Sequence, residues 1–72
     1  MGIINERKRV KEIEESGLMW PIAISKIRIL VEAGCNIISF DEKTQEVKLQ
    51  NNDTNVATVN MFGRVSWEDL YD

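Results

Sequence analysis

Few side chains in this chain could do chemistry, and they are poorly grouped. Cys35 is the single cysteine and there is no histidine. A thiol nucleophile would therefore lack the imidazole that ordinarily activates it, and the commonest general base near neutral pH is missing. Asp41 with Glu42, and Glu68 with Asp69, are sequence neighbours, which points each pair to different faces of an element rather than at one reacting atom. Asn51-Asn52-Asp53 offers oxygen ligands without the spacing or the glycine of a calcium loop. With no histidine and no cysteine pair, a structural zinc site is not expected. The four glycines, Gly2, Gly17, Gly34 and Gly63, are too dispersed for a phosphate loop. The expectation is a protein that is not an enzyme and holds no metal or cofactor. Cys35 follows a predicted helix C-terminus, where nothing lowers a thiol pKa, and reads as a buried or half-buried inert thiol.

The element that must organise the rest is Pro21 to Gly34, PIAISKIRILVEAG. At about 100° per residue, Ser25, Arg28 and Glu32 share one narrow face, and the apolar residues spread over roughly 220°. Read with period two, the same stretch mixes core and charge. Pro21 suits the first helical position and Gly34 the left-handed residue just past the end. Ile22, Ile24, Ile27, Ile29 and Val31 are β-branched, so packing must hold this helix rather than its own propensity.

Asn5 to Ser16 is a second helix candidate, with Asn5 as N-cap and Gly17 as stop. Its apolar stripe is thin: Ile3, Val10 and Ile13 make a seam rather than a face. Arg7, Lys8, Arg9 and Lys11 fill its first half and Glu12, Glu14 and Glu15 its second, the reverse of what the helix dipole favours. Two readings follow. One is a solvated helix with Lys8–Glu12 and Lys11–Glu15 pairs; the other is antiparallel pairing with the same helix of a second subunit. Trp20, extended before Pro21, is expected to fold onto the apolar face of the helix that follows.

After Gly34 the period changes. Asn36 to Phe40, Glu46 to Gln50 and Asn55 to Met61 are short, rich in β-branched residues and separated by turn-like segments, which predicts a three-stranded antiparallel meander. Ile38, Phe40, Val47, Leu49, Ala57, Val59 and Met61 would face the main helix. Phe62 to Val65 turns the chain out, and Ser66-Trp67-Glu68-Asp69 reads as a capping box opening a last helical turn through Leu70 and Tyr71. Trp67 and Leu70 would either close an open core edge there, the preferred reading, or be presented to a partner.

Seventy-two residues make a single small α+β domain over residues 1–72, one or two helices followed by the meander and a short C-terminal helical turn. A domain of that size is marginal without a staple. Disulfide and zinc being set aside, association is the staple left. A homodimer is expected through Ile22, Ile24, Ile27, Leu30 and Val31, with Val10 and Ile13 on the thinner helix. Charge within the first six residues argues against a secretory leader, and no run approaches the roughly 20 apolar residues of a membrane span. A cytoplasmic setting is expected, which leaves the glycosylation pattern Asn52-Asp53-Thr54 empty.

Length, a dominant helix from Pro21 to Ala33, three strands after it and the lack of motifs together resemble Yopt, a family of small uncharacterised Bacillus prophage proteins. The resemblance implies a homodimer whose subunit has one helix and three strands, with no assigned activity. A second resemblance competes. Leu30 to Ile38 followed by Glu46 to Leu49 looks like the junction in winged-helix DNA-binding domains where the recognition helix enters the wing. Against it, the helix offers a groove only Ser25, Arg28 and Glu32, and residues 37–72 carry three cations against seven anions within a net charge of −3. Any DNA contact would fall to Arg7, Lys8, Arg9 and Lys11. The preferred function is a non-catalytic protein–protein interaction module, for which the resemblance to Yopt implies a phage origin, and whose acidic Asp41, Glu42, Glu46, Glu68 and Asp69 would steer a basic protein partner.

Overall fold

The computed structural model describes residues 2–51 and 55–69. Two helices, α1 (Gly2–Ser16) and α2 (Pro21–Glu32), precede four strands, β1 (Asn36–Asp41), β2 (Glu46–Asn51), β3 (Asn55–Asn60) and β4 (Val65–Asp69). The strands form one antiparallel sheet in sequence order. Both helices lie on the same face of it, α1 against β1 and α2 against β3.

The punctuation of α2 is as the sequence predicts. Pro21 opens it after an extended Trp20, and beyond Ala33 the chain reverses through Gly34 at φ +108. Gly34 donates its N–H to the Val31 carbonyl and Cys35 to that of Leu30, a Schellman closure that satisfies two otherwise orphaned carbonyls. The other helix starts earlier than expected, at Gly2 rather than after Asn5, and ends before Gly17 at φ +74.

Two expectations about the sheet are corrected. The first concerns β1: a register irregularity between Ile37 and Ser39 shifts the alternation by one. Ile37 and Phe40 therefore face the helices, and Ile38 is exposed. The second concerns residues 65–69, which are a fourth strand rather than a helical turn. The Asn60 carboxamide oxygen accepts from the N–H groups of Phe62 and Arg64, while Gly63, at φ +90, donates to the Asn60 carbonyl. This folds the chain into a tight hairpin, where side-chain capping of backbone donors substitutes for ladder bonds. Leu70 and Tyr71, and the turn at 52–54, lie outside the described residues.

The register sets the cross-strand rows. On the helix side run Phe40, Val47, Val59, Val65 and, parallel to it, Ile37, Leu49, Ala57, Trp67. On the open side run Ser39, Lys48, Thr58, Ser66 and Asp41, Glu46, Asn60, with Arg64 opposite Asn60 through an Asn60 N–H to Arg64 carbonyl bond. The row Asn36, Gln50, Val56, Glu68 lies on the open side too; that face is mostly polar, as a one-sided antiparallel sheet should be, with Val56 its buried apolar exception.

The helix-side rows need a cover, and the chain supplies it from residues assigned above to a dimer seam. Ile24, Ile27, Val31, Val10 and Ile13 are all buried in the subunit's own core, and Leu30 packs partly buried against it. Of that seam only Ile22 is substantially exposed. Removing Ile27, which has no exposed surface, should cost about 2–5 kcal/mol as Ile27→Ala, whereas Ile29→Ala on the outer face of α2 should cost less than about 1 kcal/mol. Urea denaturation of the two variants checks the contrast.

Candidate protein-interaction site

The two edges of the sheet are built differently. At β1, Glu6 reaches from α1 so that one carboxylate oxygen accepts the Ile37 N–H at 2.6 Å, and the Arg9 guanidinium donates to the Ile37 carbonyl at 2.7 Å. These two residues, three apart on a helix and so on one side of it, occupy both backbone groups of Ile37. Glu6 is buried to 8% exposure, and the Ile37 N–H is the partner that offsets the cost of enclosing a carboxylate. Sequence reasoning missed this pair, because Glu6 stands in a charged run that reads as solvated. The signal that could have found it is the Glu6/Arg9 spacing of three on a helix whose seam passes through Val10.

At β4 the outer edge is open. The row Ile37, Leu49, Ala57 is buried along its length until it reaches Trp67, which is 51% exposed. The helices cover β1 and β3, and β4 lies beyond them. Asn60 and Arg64 form a ladder bond, so in the alternating antiparallel pattern Ser66 and Glu68 bond inward, and the N–H and C=O groups of Val65 and Trp67 point away from β3. Among the described residues no hydrogen bond reaches those outward groups. An unpaired strand edge with a half-exposed indole on it is a surface for pairing with another strand. Arg64 and Glu68 flank it on the open face, and neither enters an ion pair among the described residues.

The cations of α1 are partly spent within the subunit. Arg7 grips Glu32 through two hydrogen bonds, Nε to Oε2 at 2.7 Å and a terminal nitrogen to Oε1 at 2.9 Å; Glu14 accepts from Arg28 at 2.9 Å. The odd charge order of α1 is thus matched by α2 of the same chain, lying antiparallel beside it. Of the two readings given above, the solvated helix fits Lys8, Lys11, Glu12 and Glu15, which are all exposed, although no ion pair joins them among the described residues. These bridges span a cleft of about 350 Å³ lined by Arg7, Lys11, Glu14, Arg28 and Glu32. Lys8 and Lys11 remain exposed, and Arg9 is turned to β1, so the four proposed DNA contacts do not share a face.

The acidic set is divided. Asp41, Glu42 and Glu46 cluster at the β1–β2 turn, where Asp41 also accepts from the Lys43 and Thr44 N–H groups. Glu68 and Asp69 stand on β4 at the far end of the sheet, since Glu46 lies opposite Asn60 and Glu68 opposite Val56. They do not form one surface. Trp20 does not fold onto α2 as expected. Its ring meets Phe62 edge-on with centroids 4.8 Å apart, both side chains about half exposed, while its N–H donates to the Met61 carbonyl. This clasp seats the start of α2 on the β3–β4 turn, where a Cβ on Gly63 would lie 3.1 Å from Ile22 Cγ1.

Cys35 is buried, and burial pushes its thiol above the ordinary range. Among the described residues no three of His, Cys, Asp and Glu group to hold a metal, and no helix is long and apolar enough to cross a membrane. The native thiol should react with a disulfide reagent many times more slowly than the urea-unfolded chain, which a colorimetric thiol assay reads directly. The hydrogen bond from Arg7 holds the Glu32 carboxyl below its ordinary range. Its contribution is therefore present above the unfolded-state pKa and lost as pH falls through the lowered folded value. Glu32→Gln should flatten stability against pH across that acidic window, measured by thermal melts.

Compared with protein-family models, with curated proteins and with solved structures, the chain matches none.

Proposed function

We propose that this chain is a non-catalytic protein–protein interaction module that works as a homodimer, associating through the open β4 edge of its sheet. The observation that carries this reading is the asymmetry of the edges: Ile37 on β1 is held by Glu6 and Arg9, whereas β4 ends the sheet with Trp67 half exposed. Exposed strand edges are the feature that proteins ordinarily blunt with charge, bulge or cover, and here one edge has a bulge and a side-chain clamp while the other has neither among the described residues. The resemblance to Yopt points the same way in implying a homodimer, although its one helix and three strands differ from the two helices and four strands of this subunit. The helix seam first assigned to the dimer gives way to β4, since its residues already fill the core. Asp41, Glu42 and Glu46 at the β1–β2 turn are the negative surface that a basic protein partner would meet, at the opposite end of the sheet from Glu68.

Light scattering on a sizing column tests the reading. The mass should rise from 8.3 kDa towards twice that value as loading increases through the micromolar range typical of small interfaces. Trp67→Lys, which places an edge-blunting cation on β4, should hold it at the monomer value. A wild-type mass that stays monomeric at every loading overturns the proposal, and retention on duplex DNA at low salt would put the winged-helix alternative in its place.

A further inference from the structure

Resting on that homodimeric reading, we infer that two copies join by antiparallel pairing of their β4 strands about a two-fold axis at Ser66, giving one continuous eight-stranded sheet held by reciprocal Arg64–Glu68 ion pairs. The occupant of the open edge is a second copy, and the sequence of the strand fixes the register.

An antiparallel self-pairing centred on one residue sets each position opposite its mirror image. With Ser66 at the centre, Val65 stands opposite Trp67 of the second copy and Arg64 opposite its Glu68, each pair occurring twice. Val65 and Trp67 are the residues whose backbone groups point outward, so these opposed positions are the ones that exchange both N–H···O bonds. Their side chains lie on the helix side. The row Phe40, Val47, Val59, Val65 of one copy then runs into Trp67, Ala57, Leu49, Ile37 of the other without a polar interruption. On the open face, Arg64 and Glu68 are exposed and otherwise outside any ion pair among the described residues, and opposite charges directly across a ladder favour pairing. The neighbouring registers of the same backbone parity, centred on Trp67 or on Val65, set Glu68 or Arg64 opposite Ser66, and neither gives Arg64 a carboxylate across from it. The isologous arrangement is the one that a two-fold dimer requires.

Arg64 and Glu68 of one chain are four residues apart along an extended segment, roughly 13 Å, so no rescue between them can occur within a subunit. Arg64→Glu and Glu68→Arg, each studied alone, should be monomeric at loadings where the wild type is dimeric, with unchanged circular dichroism. Mixed in equal amounts they should form a heterodimer, because both opposed pairs then become Glu with Arg. As a second measurement, Ser66→Cys should cross-link into a covalent dimer under mild oxidation. Directly opposed residues at a non-bonded position lie about 4.5 Å apart, within disulfide reach. Glu68→Cys under the same conditions should not. A wild-type dimer unaffected by either charge reversal, or single variants whose mixture stays monomeric together with a Ser66→Cys chain that fails to cross-link, overturns this register while leaving the homodimer standing. A wild type that is monomeric throughout overturns both.

Discussion

The constraint on which this structure depends is that one face of a four-stranded sheet must be covered by twenty-seven helical residues. Val47, Leu49, Ala57 and Val59 on the two central strands have no exposed surface, and neither does Ile27 above them. That arrangement accounts for Ala23, Ile24, Ile27, Leu30 and Val31 of the apolar arc of α2, while Ile22 and Ile29 stay exposed outside it. The helix is not simply an amphipathic one lying on a surface: the sheet lies beneath it and α1 lies beside it. Two helices suffice for three strands. The fourth extends beyond them, and Trp67 is exposed because the helical cover runs out before the sheet does.

The helices were legible because they are punctuated. Pro21, Gly17 and Gly34 each mark a boundary where the backbone has a reason to change, and α2 occupies the span they delimit. The central strands were legible through their alternation. What failed was local reasoning wherever a tertiary contact decided the outcome. Ser66-Trp67-Glu68-Asp69 satisfies a capping pattern, but Asn60 and Gly63 close a hairpin that delivers the same residues to the edge of β3, and ladder bonds to a formed strand prevail over a single cap. Strict alternation places Ile38 inward, and the irregularity between Ile37 and Ser39 breaks that alternation. Read from sequence, Val65 falls in a turn and Trp67 in a helix, so the sheet that α2 must cover is underestimated and the helix's apolar width looks like surplus for a second subunit.

The site was less legible than the fold. Glu6 and Arg9 look like two more charges in a solvated run, and only the position of the Ile37 backbone beside them gives them a task. The same holds for the charge order of α1. Cations ahead of anions oppose the helix dipole at a cost of tenths of a kcal/mol each. An antiparallel neighbour whose own charges run Arg28 then Glu32 compensates, setting Arg7 against Glu32 and Glu14 against Arg28. These bridges are exposed and add little stability individually. Their consequence is orientation: they fix how α1 lies along α2, and through that the reach of Glu6 and Arg9 to β1.

Clamping one edge and leaving the other open has a consequence for assembly. A sheet with two open edges can add copies at both, and edge-to-edge addition then has no natural end. In this chain the β1 edge is interrupted at Ile37, where a helix carboxylate and a guanidinium take the two groups that an incoming strand would need, and the irregularity beside it carries Ile38 out of register. Under the proposed pairing each copy would use its open β4 edge, and the two-fold relation would consume both at once. The assembly that follows has β1 at each end, already occupied. In the proposed dimer growth would stop at two subunits, and the side chains that stop it, Glu6 and Arg9, belong to α1, which also gives Val10 and Ile13 to the apolar core.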